Sequence, residues 1–103
     1  MRVLTIGLSV TLSVLGGAAA ALAQNVENGQ RLAERWCIAC HAVGEANSKF
    51  NRAPPLAAIA AREGVSGEMI ASFLLMPHAT MPNFPLRRED ARDLAAFIMG
   101  MKK

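Results

Sequence analysis

The residues able to do chemistry stand together in one short run, Cys37-Ile38-Ala39-Cys40-His41. Two thiols three residues apart, with a histidine directly after the second, meet the requirement for covalent haem attachment. On a single helical turn, residues i, i+3 and i+4 share one face. Cys37 and Cys40 can therefore each form a thioether to a vinyl group along one porphyrin edge. His41, beside that edge, can direct its imidazole to the iron as the proximal ligand. Three other readings fit less well. A redox-active dithiol needs a strand-helix-strand setting, and no neighbouring stretch reads as a strand. A zinc site could recruit Cys37, Cys40, His41 and His78, but His41 abuts Cys40 and no second ligand pair follows at finger spacing. A structural disulfide in a secreted domain normally closes a longer loop.

An iron held by His41 takes a sixth ligand or keeps an open position. The candidates are Met69, Met76, Met81, Met99, Met101 and His78. Met69, Met99 and Met101 read as helix core, the usual use of methionine. Met76 and Met81 each precede a proline, which biases their backbone toward extended geometry. Met81 lies deeper in the segment bounded by Pro77 and Pro85, with Pro82 between them. Three prolines stiffen that loop and reduce the entropy lost on fixing it. Met81 is the expected distal ligand, ahead of His78 and Met76.

These ligands must be positioned by short helices. Asn25 suits an N-cap, and Val26, Gly29, Leu32, Ala33 and Trp36 recur at helical spacing up to the cysteines. Glu27 and Arg31 form an i, i+4 pair in the favourable orientation. Gly29 costs about 1 kcal/mol relative to alanine inside a helix; either a close helix crossing accounts for it or it is a tolerated glycine with no role. Val43 to Ala53 reads as loop. Pro55 suits the start of a short helix over Leu56 to Arg62, stopped by Gly64. Ser66 reads as the next N-cap, with Glu68 in the first turn. Met69, Ile70, Phe73 and Leu74 form that helix's apolar stripe, and Pro77 ends it. The last helix is expected from Arg88 to Met101, with Glu89 and Asp90 at its start and Lys102 and Lys103 at its end. Arg87 is a poor N-cap residue. No window alternates with period two, so no sheet is expected. The fold class is all-α, about four short helices wrapped around one covalent haem.

Of the 103 residues, the first 23 read as a leader rather than as domain. Arg2 provides a positive start, Val3 to Gly17 is mostly apolar, and Ala21-Leu22-Ala23 is a small-x-small cleavage signature before Gln24. Residues 1–23 are therefore expected to be a signal peptide, and 24–103 the functional domain, delivered to the periplasm. The alternative is an anchor formed by uncleaved residues 3–23, a stretch long enough to span a bilayer. Cleavage leaves 80 residues, small for a hydrophobic core without an additional staple. A covalent haem is such a staple, and it would consume both cysteines. Losing Arg2 leaves ten Lys and Arg against eight Asp and Glu. That balance excludes the dense basic stripe expected of a nucleic-acid binder.

Taken together, these residues closely resemble the class I c-type cytochromes of bacteria, from Asn25 to Met101. The resemblance rests on Gly29 eight residues before Cys37, the Cys37-x-x-Cys40-His41 run, Pro54-Pro55-Leu56 after a loop, Met81-Pro82, and a closing helix bearing Phe97. It implies that Gly29 crosses the last helix at Phe97. It also implies that a proline carbonyl, best matched by Pro54 and next by Pro55, accepts the second ring proton of His41. Such a bond would fix the tautomer and raise the basicity of the ligand. The chain departs from the family at Arg87, where a capping Ser or Thr is usual, and in having no tyrosine. That leaves Trp36, Arg52 and Asn83 as candidates for propionate contacts. The implied function is one-electron transfer through a single His/Met-ligated haem c, between a donor and an acceptor protein. The same chemistry would serve the small subunit of a periplasmic dehydrogenase. The contrasting class is a haem enzyme or gas sensor with a labile distal ligand. It needs a distal acid-base group, for which His78 is the one remaining histidine.

Overall fold

The computed structural model describes residues 24–44, 47–48, 52–76 and 80–102. The expected signal peptide, Pro77 and His78 lie outside the described residues. Within them are four α-helices and one π-helical turn, with no strand beyond a single bridge residue at Val43. No helix among the described residues is long and apolar enough to cross a membrane.

Helix α1 spans Val26–Leu32. Asn25 caps it as its sequence suggested, its Oδ1 accepting the Asn28 N–H at 3.0 Å. Arg31 donates to Asn28 Oδ1 at 3.2 Å, on the near side of the same face, where pairing with Glu27 was expected. The helix does not continue regularly to Trp36. Ala33–Cys37 forms a π turn, closed by the Ile38 N–H on Ala33 O at 3.0 Å. In a regular α-helix each step of four residues overshoots one turn, so a row of such residues drifts around the axis. The wider turn opposes that drift and keeps Gly29, Ala33 and Cys37, all buried, toward one interior.

Helix α2, Leu56–Ala60, follows Pro55 and is two residues shorter than expected. The chain then turns through Gly64, whose φ of +79° is the left-handed conformation that glycine adopts without penalty. Helix α3 spans Gly67–Leu75, with Ser66 Oγ accepting the Met69 N–H at 3.2 Å. Its expected apolar stripe divides. Ile70 is buried and Leu74 half-buried, whereas Met69 is 57% and Phe73 50% exposed. The four residues span an arc wider than one neighbouring helix can cover. Helix α4 covers the Ile70–Leu74 edge only, so Met69 is not core.

Helix α4, Arg88–Met99, is the hub, packing against α1, α2 and α3. Ala91, Leu94, Ala95 and Ile98 are buried along it. With Ala33 and Ala60 also fully buried, small side chains let these short helices approach closely. Arg87 precedes α4 without capping it as an acceptor. Instead Asp90 reaches back, its Oδ2 taking the Arg87 N–H at 3.1 Å and the guanidinium Nε at 3.2 Å. This is half of a capping box, and it satisfies a donor at the helix start.

The α1–α4 crossing occurs at Gly29. A Cβ there would overlap the Asp93 carbonyl oxygen and lie 2.9 Å from Phe97 Cβ. Phe97 was expected at this contact; the approach to the Asp93 backbone is closer still. Beside it, Asp93 Oδ1 accepts the Asn25 N–H at 2.7 Å and Oδ2 the Asn28 Nδ2–H at 2.8 Å. Asn28 Nδ2 also donates to Asp90 Oδ1 at 3.2 Å. Two buried carboxylates are thus hydrogen-bonded, as burial of charge requires.

Candidate haem site

Cys37 leaves the π turn buried, and the chain bends at once. The N–H groups of Cys40 and His41 both donate to Cys37 O, at 3.1 and 2.8 Å. This single turn brings both sulfurs and the imidazole to one side of the chain. A second segment is laced onto it from residues 52–56. Ala53 N–H donates to Cys40 O and Leu56 N–H to Ala42 O, each at 3.0 Å. Pro54 and Pro55 between them have no N–H to offer. The lacing carries the Pro54 carbonyl to the imidazole, where His41 Nδ1 lies 2.6 Å from Pro54 O. A carbonyl only accepts, so Nδ1 carries the proton and Nε2 keeps its lone pair. That tautomer leaves Nε2 as the nitrogen able to bind iron, with the ring orientation fixed by the bond at the other nitrogen.

Facing this turn is the proline-rich loop. A cavity of about 290 Å³ is lined by Trp36, Cys37, Cys40 and His41 on one side and by Met81, Pro82 and Phe84 on the other. Of the expected iron ligands and anchors, Cys37, Cys40, His41 and Met81 therefore meet at one place. Met76 does not line the cavity, nor do Met69, Met99 and Met101. Trp36 lines it, whereas Arg52 and Asn83 do not. A larger cavity of about 910 Å³ between α3 and α4 contains neither cysteine nor histidine, and its chemistry is unrelated to the motif.

Electrostatics separate the readings of the two thiols. Burial pushes the Cys37 thiol up to about 11 from its ordinary 9.0. A redox-active cysteine is tuned the other way, toward thiolate at neutral pH. Among the described residues no three His, Cys, Asp or Glu side chains converge as a metal cage; His78, the fourth ligand a zinc site would recruit, lies outside them. The donor set that remains fits a haem: two thiols flanking one free imidazole nitrogen, with a thioether across an apolar cleft.

One contact at the site had no signal in the chain. The Trp36 and Phe84 rings stack with centroids 5.3 Å apart and planes 6° from parallel. The Arg35 guanidinium carbon lies 5.0 Å from the Trp36 centroid. Nothing in local spacing announces a pair 48 residues apart in the chain.

Comparison with known proteins identifies the family. The family model described as cytochrome C oxidase, cbb3-type, subunit III matches residues 24–98. Cytochrome c-552 of Bradyrhizobium diazoefficiens is 39% identical over 97 residues, covering 93% of each chain. No solved structure matches. The chain belongs to the small c-type cytochromes, electron-transfer proteins that carry covalent haem c.

Proposed function

We propose that this chain is a periplasmic one-electron carrier whose haem c is attached through Cys37 and Cys40 and ligated by His41 Nε2 and Met81. The observation that carries the proposal is the cleft in which all four residues meet, with His41 Nδ1 committed to Pro54. Haem c supplies an iron that cycles between ferric and ferrous states. Cys37 and Cys40 fix its edge to the turn after α1. His41 would present a preset tautomer, its Nδ1 proton held by Pro54 O and its Nε2 lone pair free to ligate. Met81 offers a neutral, polarizable sulfur, which favours ferrous iron and raises the potential. Retaining both ligands in both states keeps the reorganisation small.

The partners are a protein donor and a protein acceptor that approach the cleft rim. The family description names an oxidase subunit, so a terminal oxidase is a natural acceptor class. Residues 1–23 act as the export signal and are removed. The small subunit of a periplasmic dehydrogenase would use the same chemistry, and copurification from a native extract distinguishes that association from a free carrier.

The deciding experiment is spectroscopic. Wild-type holoprotein should be low-spin in both oxidation states, show the near-infrared thioether-to-ferric-iron band, and bind carbon monoxide poorly. Met81→Ala should lose the band, lower the reduction potential and admit carbon monoxide; Met76→Ala and His78→Ala should do none of these. Loss of the native spectrum in His78→Ala alone would identify a bis-histidine carrier. A wild type that binds carbon monoxide readily and turns over peroxide would make the protein a haem enzyme or sensor.

A further inference from the structure

A thioether is a weak iron ligand, so the position of Met81 has to be maintained by the chain around it. The described part of its loop has two anchors after Met81. Leu86 is half-buried against the core, and its N–H donates to Phe84 O at 2.8 Å across Pro85. A bond between residues two apart is a γ-turn. Proline's fixed φ suits the inverse form and excludes the other. This tight turn sets the direction of Phe84 relative to the start of α4. The second anchor is Phe84 itself, three residues beyond Met81, stacked on Trp36. Trp36 is adjacent to Cys37 in the chain, and both aromatic residues line the same cleft as Met81 and His41.

We propose that the Trp36–Phe84 stack is a clamp that positions Met81 on the iron by tying its loop to the cysteine-bearing turn. This inference rests on the ligand assignment made above. It adds a cause for the strength of that ligation besides the stiffness of Pro77, Pro82 and Pro85. Trp36 and Phe84 are positioning residues, since they act through Met81. The clamp works as a bias between two states, one with Met81 bound and the stack made, the other with the ligand released and the stack parted. An external ligand binds only the released state, so its apparent affinity scales with that state's population. An offset aromatic stack favours the closed state by enough to change this population about 2- to 12-fold.

The test is a titration of ferric holoprotein with imidazole, followed by loss of the near-infrared band. Phe84→Leu, which keeps apolar bulk but removes the stack, should retain the band without imidazole. It should then lose it at an apparent Kd about 2- to 12-fold lower than wild type. Trp36→Leu should behave alike, and the double variant should shift no further than the larger single change, because the interaction can be lost only once. Phe84→Tyr should restore the wild-type Kd. Should Trp36→Leu not yield holoprotein, Phe84→Leu against Phe84→Tyr decides alone. Equal Kd values for wild type and Phe84→Leu, in a wild type that shows the band, overturn the clamp and leave the ligand assignment standing. Additive shifts in the double variant overturn it as well. A wild type lacking the band, or a Met81→Ala protein that keeps it, removes the ligand assignment and the clamp together.

Discussion

Gly29→Ala is the smallest change that tests how this fold is held. Two effects oppose each other. Alanine in a helix interior is better than glycine by about 1 kcal/mol. Against that, the added methyl would overlap the Asp93 carbonyl oxygen, with Asp93 C at 2.6 Å and Phe97 Cβ at 2.9 Å. Carbon contacts are favourable only from about 3.5 Å, so α1 and α4 must part by about 1 Å. The obstructing atoms are backbone and a Cβ, and no rotamer change relieves them. Overpacking of this kind costs about 1–3 kcal/mol. Parting the helices also stretches the bonds of Asn25 and Asn28 to Asp93, now 2.7 and 2.8 Å. A charge-assisted bond of this type is worth about 1.5 kcal/mol or more. The net expectation is a loss of about 1.5–3.5 kcal/mol, or a fall in Tm of about 6–28 °C for a domain of this size. Thermal and urea unfolding of the holoprotein, followed by far-ultraviolet circular dichroism and haem absorbance, measure it. A Gly29→Ala protein as stable as wild type would refute the reasoning, because helix propensity would then outweigh the crossing.

Three further outcomes are expected. Acid-acetone should fail to extract haem from the wild type, while Cys37→Ala combined with Cys40→Ala should yield no stable holoprotein; purified protein holding zinc and no haem would contradict this. The Asp90 carboxyl is held below its ordinary 3.8, chiefly by the hydrogen bond from the Arg87 guanidinium and then by the Arg87 N–H and Asn28, against burial, which acts the other way. Its folded value is lowered, so its contribution to stability is present above the ordinary value and is lost as pH falls through the lower one. Asp90→Asn should therefore flatten the fall in Tm below about pH 4, and an unchanged acid limb would show the bonds to be inert. Intact-mass analysis of protein matured in a Gram-negative host should find a chain beginning at or near Gln24; retention of residues 1–23 in a membrane fraction would show an anchor.

The parts of this molecule legible in the chain were those whose chemistry is written in one residue or one short run. Cys37, Cys40 and His41 announce a haem site because attachment and ligation restrict both residue type and spacing, and the structure brings the three together at one cleft. Asn25 and Ser66 announce helix starts because a side-chain oxygen there has a local donor to accept. Gly29 was legible as an anomaly, a costly residue that needed a reason. Met69 and Phe73 were misread because periodicity reports that a helix face is apolar and says nothing of what covers it. The π turn at Ala33–Cys37 was invisible for a related reason: these residues suit an α-helix, and nothing local marks the wider turn that accompanies the buried Cys37.

What remained hidden consists of pairs. Asn28 and Asp93 are 65 residues apart, and each alone is an ordinary polar residue on a helix. Arg87 looked like a defective cap until Asp90 supplied the acceptor from inside the helix. Trp36 was readable on a helix face and as a candidate propionate contact, Phe84 carried no reading of its own, and neither announced their stacking. The division has a physical basis. Covalent and coordination chemistry constrains single positions strongly, whereas a long-range contact is an agreement between two positions, either of which could be exchanged if the other followed. In this chain the first kind of constraint made the Cys37–His41 run legible, and the second kind, at Asn28–Asp93 and Trp36–Phe84, left no local trace.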